Sequence, residues 1–146
     1  MTSTIKPLAL VTGVGPGTGA SVARRFAEGG YRVAMLARNA ERLAALEKEI
    51  PDSIAITCDV TDAAALEQVI AKVGAPKVVV HNAVGGAFGT FQQVEPEVLQ
   101  RNFETNTMAL FHLARLTAPA MILKGEGAII VTGNTSAQRG KASFAG

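Results

Sequence analysis

The stretch "ALVTGVGPGTGAS", residues 9–21, sets four glycines and a proline between an apolar run and a segment of helical character. Glycine has the most backbone freedom to lose on folding and is poor in helix and strand interiors. Such a density of glycine between Gly13 and Gly19 points to a backbone task that side chains would obstruct. The apolar run before it, "LALVT" (8–12), has the form of a buried strand. Four similar runs follow: "RVAMLA" (32–37), "SIAITC" (53–58), "KVVVHN" (77–82) and "GAIIVT" (127–132). They are almost continuously apolar rather than alternating, as in a parallel sheet covered on both faces.

Between the runs lie segments with apolar residues at helical spacing: 18–30, 39–50, 61–74 and a long one from Pro96 to Lys124. Leu43, Leu46 and Ile50 mark one buried stripe, and Leu66, Val69 and Val73 another. Asn39 and Thr61 suit N-caps, Pro96 a first helical turn, and Gly29 and Gly74 helix ends. Glu28, four residues after Arg24, is placed for a surface ion pair. Strand and helix alternating in this way predict right-handed crossovers and an α/β doubly wound parallel sheet of Rossmann type. The expected strand order is 3-2-1-4-5 in three α/β/α layers, one domain over residues 1–146.

The composition narrows the function. A net charge of +2 in 146 residues gives no case for a nucleic-acid surface. The single cysteine, Cys58, lies in an apolar run, so neither a disulfide framework nor a metal cluster is expected. The opening "MTSTIKP" has no long apolar segment, and "MALFHLARLTAPAMIL" is interrupted by His112 and Arg115, so neither a signal peptide nor a membrane span is expected. The picture is of a cytoplasmic protein in a reducing compartment.

The glycine loop joins the first strand to the first helix. Backbone N–H groups and the helix dipole can meet a pyrophosphate there, if no Cβ blocks the approach. No Lys-Ser/Thr follows Gly19, which excludes a Walker loop. Gly15-x-Gly17-x-x-Ala20 has the spacing of the dinucleotide fingerprint.

Thr12-Gly13-x-x-x-Gly17-x-Gly19 after a first strand resembles the signature of the short-chain dehydrogenase/reductase family. Further motifs fall in that family's order: "CDVTD" after the third strand, "HNAVGG" after the fourth, "NTMALFHLARLTAPAM" in the long helix and "GAIIVTGNTS" at the fifth strand. The resemblance implies a hydride transfer between a nicotinamide cofactor and a small carbonyl or alcohol. It implies a cofactor site from Gly13, Gly15, Gly17, Thr18 and Gly19, from Asp59 and Val60 at the adenine, and from Asn82, Ala83 and Val84 near the nicotinamide ribose. Asn106 falls at the family's active-site asparagine, where it kinks the helix and anchors a water. The catalytic serine falls among Asn134, Thr135 and Ser136, with Ser136 the preferred candidate. The family's members are commonly homo-oligomers, so a dimer or tetramer is expected of the complete protein, with no nucleic-acid or membrane partner.

Arg38 follows the second strand, where an acidic residue would accept from a free 2′-hydroxyl and an arginine would hold a 2′-phosphate. NADP(H) is therefore expected over NAD(H), which stays possible. The alternatives are a solvated Arg38, a turn role for Asp59 and a buried Asn106 satisfied by backbone; His81 and His112 show no metal-ligand spacing, and His112 reads as structural.

Departures from the family are also visible. Val84 stands where the N-N-A-G motif has glycine. The family's Y-x-x-x-K is absent, the one tyrosine being Tyr31. The chain is accordingly expected to be the N-terminal part of a longer reductase, incomplete at its C-terminus and inactive alone. A nucleotide-binding module without chemistry, a sensor or scaffold, is the other reading. The fifth strand is then expected to present an open apolar edge.

Overall fold

A computed structural model describes residues 5–146. The first four residues, part of the opening segment in which no signal sequence is expected, lie outside it. Five strands form one parallel sheet in the order β3-β2-β1-β4-β5: β1 Leu8–Thr12, β2 Arg32–Ala37, β3 Ser53–Thr57, β4 Val78–His81 and β5 Ala128–Val131. The expected order holds. The third, fourth and fifth strands are shorter than their apolar runs, because Cys58, Lys77, Asn82, Gly127 and Thr132 belong to the loops that flank the sheet.

The near-continuous apolar character of the strands has a direct consequence in packing. Successive side chains point to opposite faces, so β1, β2, β3 and β4 each feed two cores. Leu8 and Leu10 of β1, with Leu36 and Val79, pack beneath α3 (Ala63–Val73) and α5 (Ala109–Lys124) through Leu66, Val69, Leu113 and Met121. Ala9 and Val11, with Val33, Met35 and Val80, face α1 (Thr18–Glu28) and α2 (Ala40–Glu49) through Ala20, Ala23, Leu43 and Leu46. Both faces of β1, β2 and β4 are thereby buried, as expected of a parallel sheet, while β5 is largely exposed.

Local signals set most helix ends. Asn39 caps α2 by accepting from the Arg42 N–H, and Gly74 ends α3 at φ +90°, which costs glycine little. At α3 the cap is Asp62 rather than Thr61, for its Oδ1 accepts from the Ala65 N–H. Thr61 is engaged instead with Asp59, donating to Oδ1 from both its N–H and its hydroxyl. Arg24 pairs with Glu49 across α1 and α2 at 2.7 Å, and it is Arg25 that faces Glu28. The long helical segment is not continuous. It runs as α4 (Pro96–Phe103), a π-helical turn at Glu104–Met108, and α5.

Candidate functional site

The strand order reverses between β1 and β4, the two strands whose crossovers leave in opposite directions. Such a switch point opens a crevice at the carboxyl ends of the strands. Here the crevice has a volume of about 1040 Å³. The loop after β1 brings Gly13, Gly15, Gly17, Thr18 and Gly19 to it, and Arg38 reaches it from the end of β2. Asp59 and Val60 line it after β3, and Asn82, Ala83 and Val84 after β4. Every nucleotide-side residue singled out in the sequence therefore lies on one cavity.

The four loop glycines divide into two kinds. A Cβ on Gly13, which sits at φ +65°, would meet backbone atoms of Ala83 at 2.5 Å. One on Gly19 would meet the Gly13 carbonyl oxygen at 2.6 Å and Val14 Cα at 2.7 Å. These two let the β1 loop, the β4 loop and α1 close on one another. Gly15 and Gly17 have no such neighbours within 4 Å of an added Cβ, so their bare faces border open space. The first turn of α1 begins beside them without any side-chain cap. Its N–H groups and the positive end of the helix dipole face a cradle that two side chains would fill, which suits a phosphate-bearing ligand.

The floor of the crevice is stitched together by β1 and β4. The Thr12 hydroxyl oxygen accepts from the N–H groups of Asn82 (3.1 Å) and Ala83 (3.2 Å). The Asn82 amide donates to the Gly13 carbonyl at 2.9 Å, and its Oδ1 accepts from the Thr132 hydroxyl at 3.1 Å. Asn82 thus borders the cavity with a side chain already held on two sides. Val84 is 81 % exposed, so the side chain that replaces the motif's glycine projects into free space.

The rim carries the charge. Arg38 is exposed at the end of β2, and Arg42 lines the cavity from the first turn of α2. Arg42 is a rim residue missed in the sequence. Its place three residues after the Asn39 cap was the available signal, since it directs that turn to the same end as Arg38. Asp59 does serve a turn through Thr61, while remaining on the cavity. The Thr61 N–H and hydroxyl hold its carboxyl below the ordinary aspartate range, and Arg38 adds a smaller pull the same way. Cys58 is a core thiol at the cavity wall, pushed up by burial and by the charges of Asp59 and Asp62.

The two residues assigned to chemistry lie elsewhere. Asn106 sits in the π-helical turn, and its exposed side chain forms a reciprocal pair with the Gly85 backbone: Gly85 N–H to Oδ1 and Nδ2–H to the Gly85 carbonyl, both 2.8 Å. The helix distortion implied by the resemblance is present, and the backbone-satisfied alternative holds too, although on an exposed side chain rather than a buried one. Ser136 is half-buried in a 3₁₀ turn at Thr135–Ala137, and its N–H donates to Asn134 Oδ1 at 2.9 Å. Neither Asn106 nor Ser136 borders the cavity, and neither do Asn134 and Thr135. Nearer the cavity is Asn102, 8 % exposed under Gly85, whose Nδ2 has no hydrogen-bond partner among the described residues. Among the described residues no group of side chains is arranged to hold a metal, and no helix is long and apolar enough to cross a membrane.

Comparison with known proteins places this geometry in context. Residues 7–146 match the short chain dehydrogenase family. D-erythrulose reductase of Gallus gallus is 35 % identical over 90 % of this chain and 54 % of its own length. An NADP-dependent 3-hydroxy acid dehydrogenase of Salmonella typhi is 34 % identical over 88 % of this chain and likewise 54 % of its own. The chain spans about half the length of these relatives. Among solved structures, a metagenomic short-chain oxidoreductase in complex with NADP superposes with a TM-score of 0.89 at 32 % identity, covering 97 % of this chain and 68 % of that one.

Proposed function

The chain belongs to the short-chain dehydrogenase family, and from that premise we propose that it holds NADP(H) for an oxidoreductase acting on a small carbonyl or alcohol. The observation that carries the proposal is the pair of open-faced glycines, Gly15 and Gly17, at the uncapped N-terminus of α1. With Thr18 they would hold the pyrophosphate. The guanidinium groups of Arg38 and Arg42 would hold the 2′-phosphate, the planar fork of arginine being suited to phosphate oxygens. Asp59 and Val60 would border the adenine, with the ionised Asp59 as acceptor. Ala83, Val84 and the backbone of Asn82 would border the nicotinamide ribose. Bound there, the nicotinamide supplies a hydride to a carbonyl carbon or takes one from an alcohol.

NADP(H) is favoured over NAD(H) because, of the residues that directly follow β2, two cations and no carboxylate line the cavity, Glu41 lying off it. The NADP complex of the metagenomic relative and the NADP dependence of the Salmonella dehydrogenase support the same choice. The D-erythrulose reductase likeness makes small polyhydroxylated ketones a reasonable first substrate class.

The proton for the carbonyl oxygen does not come from Tyr31. That residue precedes β2, with its ring edge-on to Phe26 at 5.2 Å. Arg38 follows the other end of the strand, about 20 Å away at the usual rise per residue. Ser136 and Asn106 remain the chain's contribution to substrate and water positioning. Leu99, Phe103 and Phe111, exposed along α4 and α5, suit a surface buried between copies in a dimer or tetramer. The lone buried thiol of Cys58 suits a reducing cytoplasm.

The test is titration of the protein with NADPH and NADH, followed by cofactor fluorescence, then a search for ketone-dependent NADPH oxidation. Saturable binding that prefers NADPH and is lost in Gly15→Val supports the assignment. Binding that ignores Gly15→Val would move the ligand to another place.

A further inference from the structure

His81 is the last residue of β4, 2 % exposed, and it touches both halves of the site. Its Nδ1 lies 3.0 Å from the Thr12 hydroxyl, and its Nε2 lies 3.0 Å from the Thr105 carbonyl oxygen in the π-helical turn. The tautomer follows from counting donors and acceptors. The Thr12 oxygen has two lone pairs and one proton. The N–H groups of Asn82 and Ala83 take the lone pairs. The Thr12 proton therefore points to His81 Nδ1, which must be bare, while Nε2–H donates to Thr105. Every group in the chain Ala83–Thr12–His81–Thr105 is satisfied in one protonation state only.

We propose that neutral His81, in its Nε2–H form, is a positioning residue that fixes the Asn82–Ala83 floor of the cofactor cradle relative to the turn bearing Asn106, and that protonation releases this tie. A proton on Nδ1 would face a hydroxyl whose lone pairs are both in use. Thr12 would have to give up Asn82 or Ala83, or the ring would have to leave Thr105. The Asn106–Gly85 pair joins the same two segments one step further on, so a shift of either segment reaches both. An asparagine, which the family motif has at this place, can accept from Thr12 but cannot titrate.

The surroundings leave burial as the main influence on the ring. β1 (Leu8–Thr12) and β5 (Ala128–Val131), on either side of β4, carry no titratable side chain, nor does the loop from Asn82 to Gly86. The turn contributes Glu104 next to Thr105. On the covering helices, Glu67, Lys72, Arg115 and Lys124 are exposed and His112 is half-buried. Burial lowers the proton affinity of the ring below the ordinary histidine value, and the Thr105 bond opposes this only in part. The sign follows. The neutral ring is the native form at neutral pH, and the tie weakens as pH falls through the lowered folded value. Below the ordinary histidine value of about 6.5 the unfolded chain takes up the proton first, so stability also falls with pH there.

The inference rests on the cofactor reading, and the test separates the two. NADPH affinity is measured from pH 8 to pH 5 for the parent and for His81→Asn, with ring and amide NMR of the parent over the same range. The ring nitrogens are expected to report Nε2–H at pH 8. The amide resonances of Ala83 and Asn106 are expected to move with the ring titration. The parent Kd should rise about tenfold per pH unit below the ring's midpoint if only the neutral form binds, and the His81→Asn profile should lack that inflection. An Nδ1–H ring, amides that ignore the titration, or the same inflection in His81→Asn would each overturn the proposal. Should the asparagine variant fail to fold, the NMR titration of the parent decides alone. If NADPH binds at no pH, the cofactor reading fails, while the tautomer and the coupled amide shifts still decide the role of His81.

Discussion

Replacing loop glycines one at a time should separate folding from binding. Alanine at Gly13 must adopt φ +65°, at a cost of roughly 1–2 kcal/mol for an L-residue in the left-handed region. Its Cβ would also sit 2.5 Å from Ala83 backbone, a rigid obstacle, and forcing the two loops apart adds about 1–3 kcal/mol. Gly13→Ala should therefore lose about 2–5 kcal/mol of stability, a large part of a typical domain's 5–15 kcal/mol. Gly15 has neither problem. Gly15→Ala and Gly15→Val should unfold within about 0.5 kcal/mol of the parent, with alanine even slightly favoured through the unfolded chain. Binding should rank differently: Gly15→Val fills the cradle and should lose NADPH while remaining folded. Urea denaturation followed by circular dichroism, paired with NADPH titration, reads both quantities. A Gly13→Ala variant as stable as the parent would refute the close approach between the β1 and β4 loops. A stable Gly15→Val variant with undiminished NADPH affinity would refute the cradle.

Arg38→Ala should remove most of any preference for NADPH over NADH, about one to two decades in affinity for a charge-assisted contact of roughly 1.5–3 kcal/mol. Arg42→Ala should remove less and the double variant most, measured as the ratio of the two Kd values; a ratio unchanged in the double variant rejects the 2′-phosphate assignment. Cys58, buried and with its thiol pushed up, should react with iodoacetamide at pH 8 far more slowly in the folded protein than in urea, and more slowly again with NADPH bound; a rate equal to that of the unfolded chain would show the wall to be open. The outer edge of β5 has no partner strand among the described residues, and Ile130 and Val131 are 45 % and 49 % exposed. The 146-residue chain should therefore self-associate at tens of micromolar, with Ile130→Lys shifting the mass towards the 15.1 kDa monomer; a parent that is already monomeric would show the edge to be protected.

The parts of this fold legible in the sequence are those written in contiguous residues. "LALVT" and "RVAMLA" match β1 and β2 residue for residue, because a strand buried on both faces tolerates no polar interruption. The identity of the α3 cap was harder, since Thr61 and Asp62 are both competent. Asp59 decides it by engaging Thr61, and that competition has no signature in propensity. The π-helical turn was legible only through the family resemblance, which implies a kink at Asn106, and not from the residues themselves. Its Asn106 pairs with Gly85 across 21 positions, and its Thr105 carbonyl faces a histidine 24 positions back. No periodicity within the helix announces either contact. The loop that lines the crevice was legible because glycines at a characteristic spacing mark a loop that must come close to something. What each glycine approaches was hidden, for the neighbour of Gly13 is Ala83, far along the chain.

That separation explains how one crevice can be both rigid and selective. Its floor consists of backbone drawn tight between β1 and β4 by Thr12, Asn82 and His81, none of which carries a charge in the native state. Its rim consists of the ends of β2 and β3 and the first turn of α2, where Arg38, Asp59 and Arg42 stand exposed with no partner in the core. Exchanging a rim residue should change which phosphate or base edge the proposed cofactor site favours, at little risk to the sheet, because exposed charges contribute little to folding. Exchanging a floor residue disturbs two strands and the turn beyond them at once. If the crevice holds NADP(H) as proposed, selectivity for the adenosine half can therefore vary through the rim alone. The Asn106 turn is tied to that floor through both Gly85 and His81, so a substitution in the floor should reach it as well.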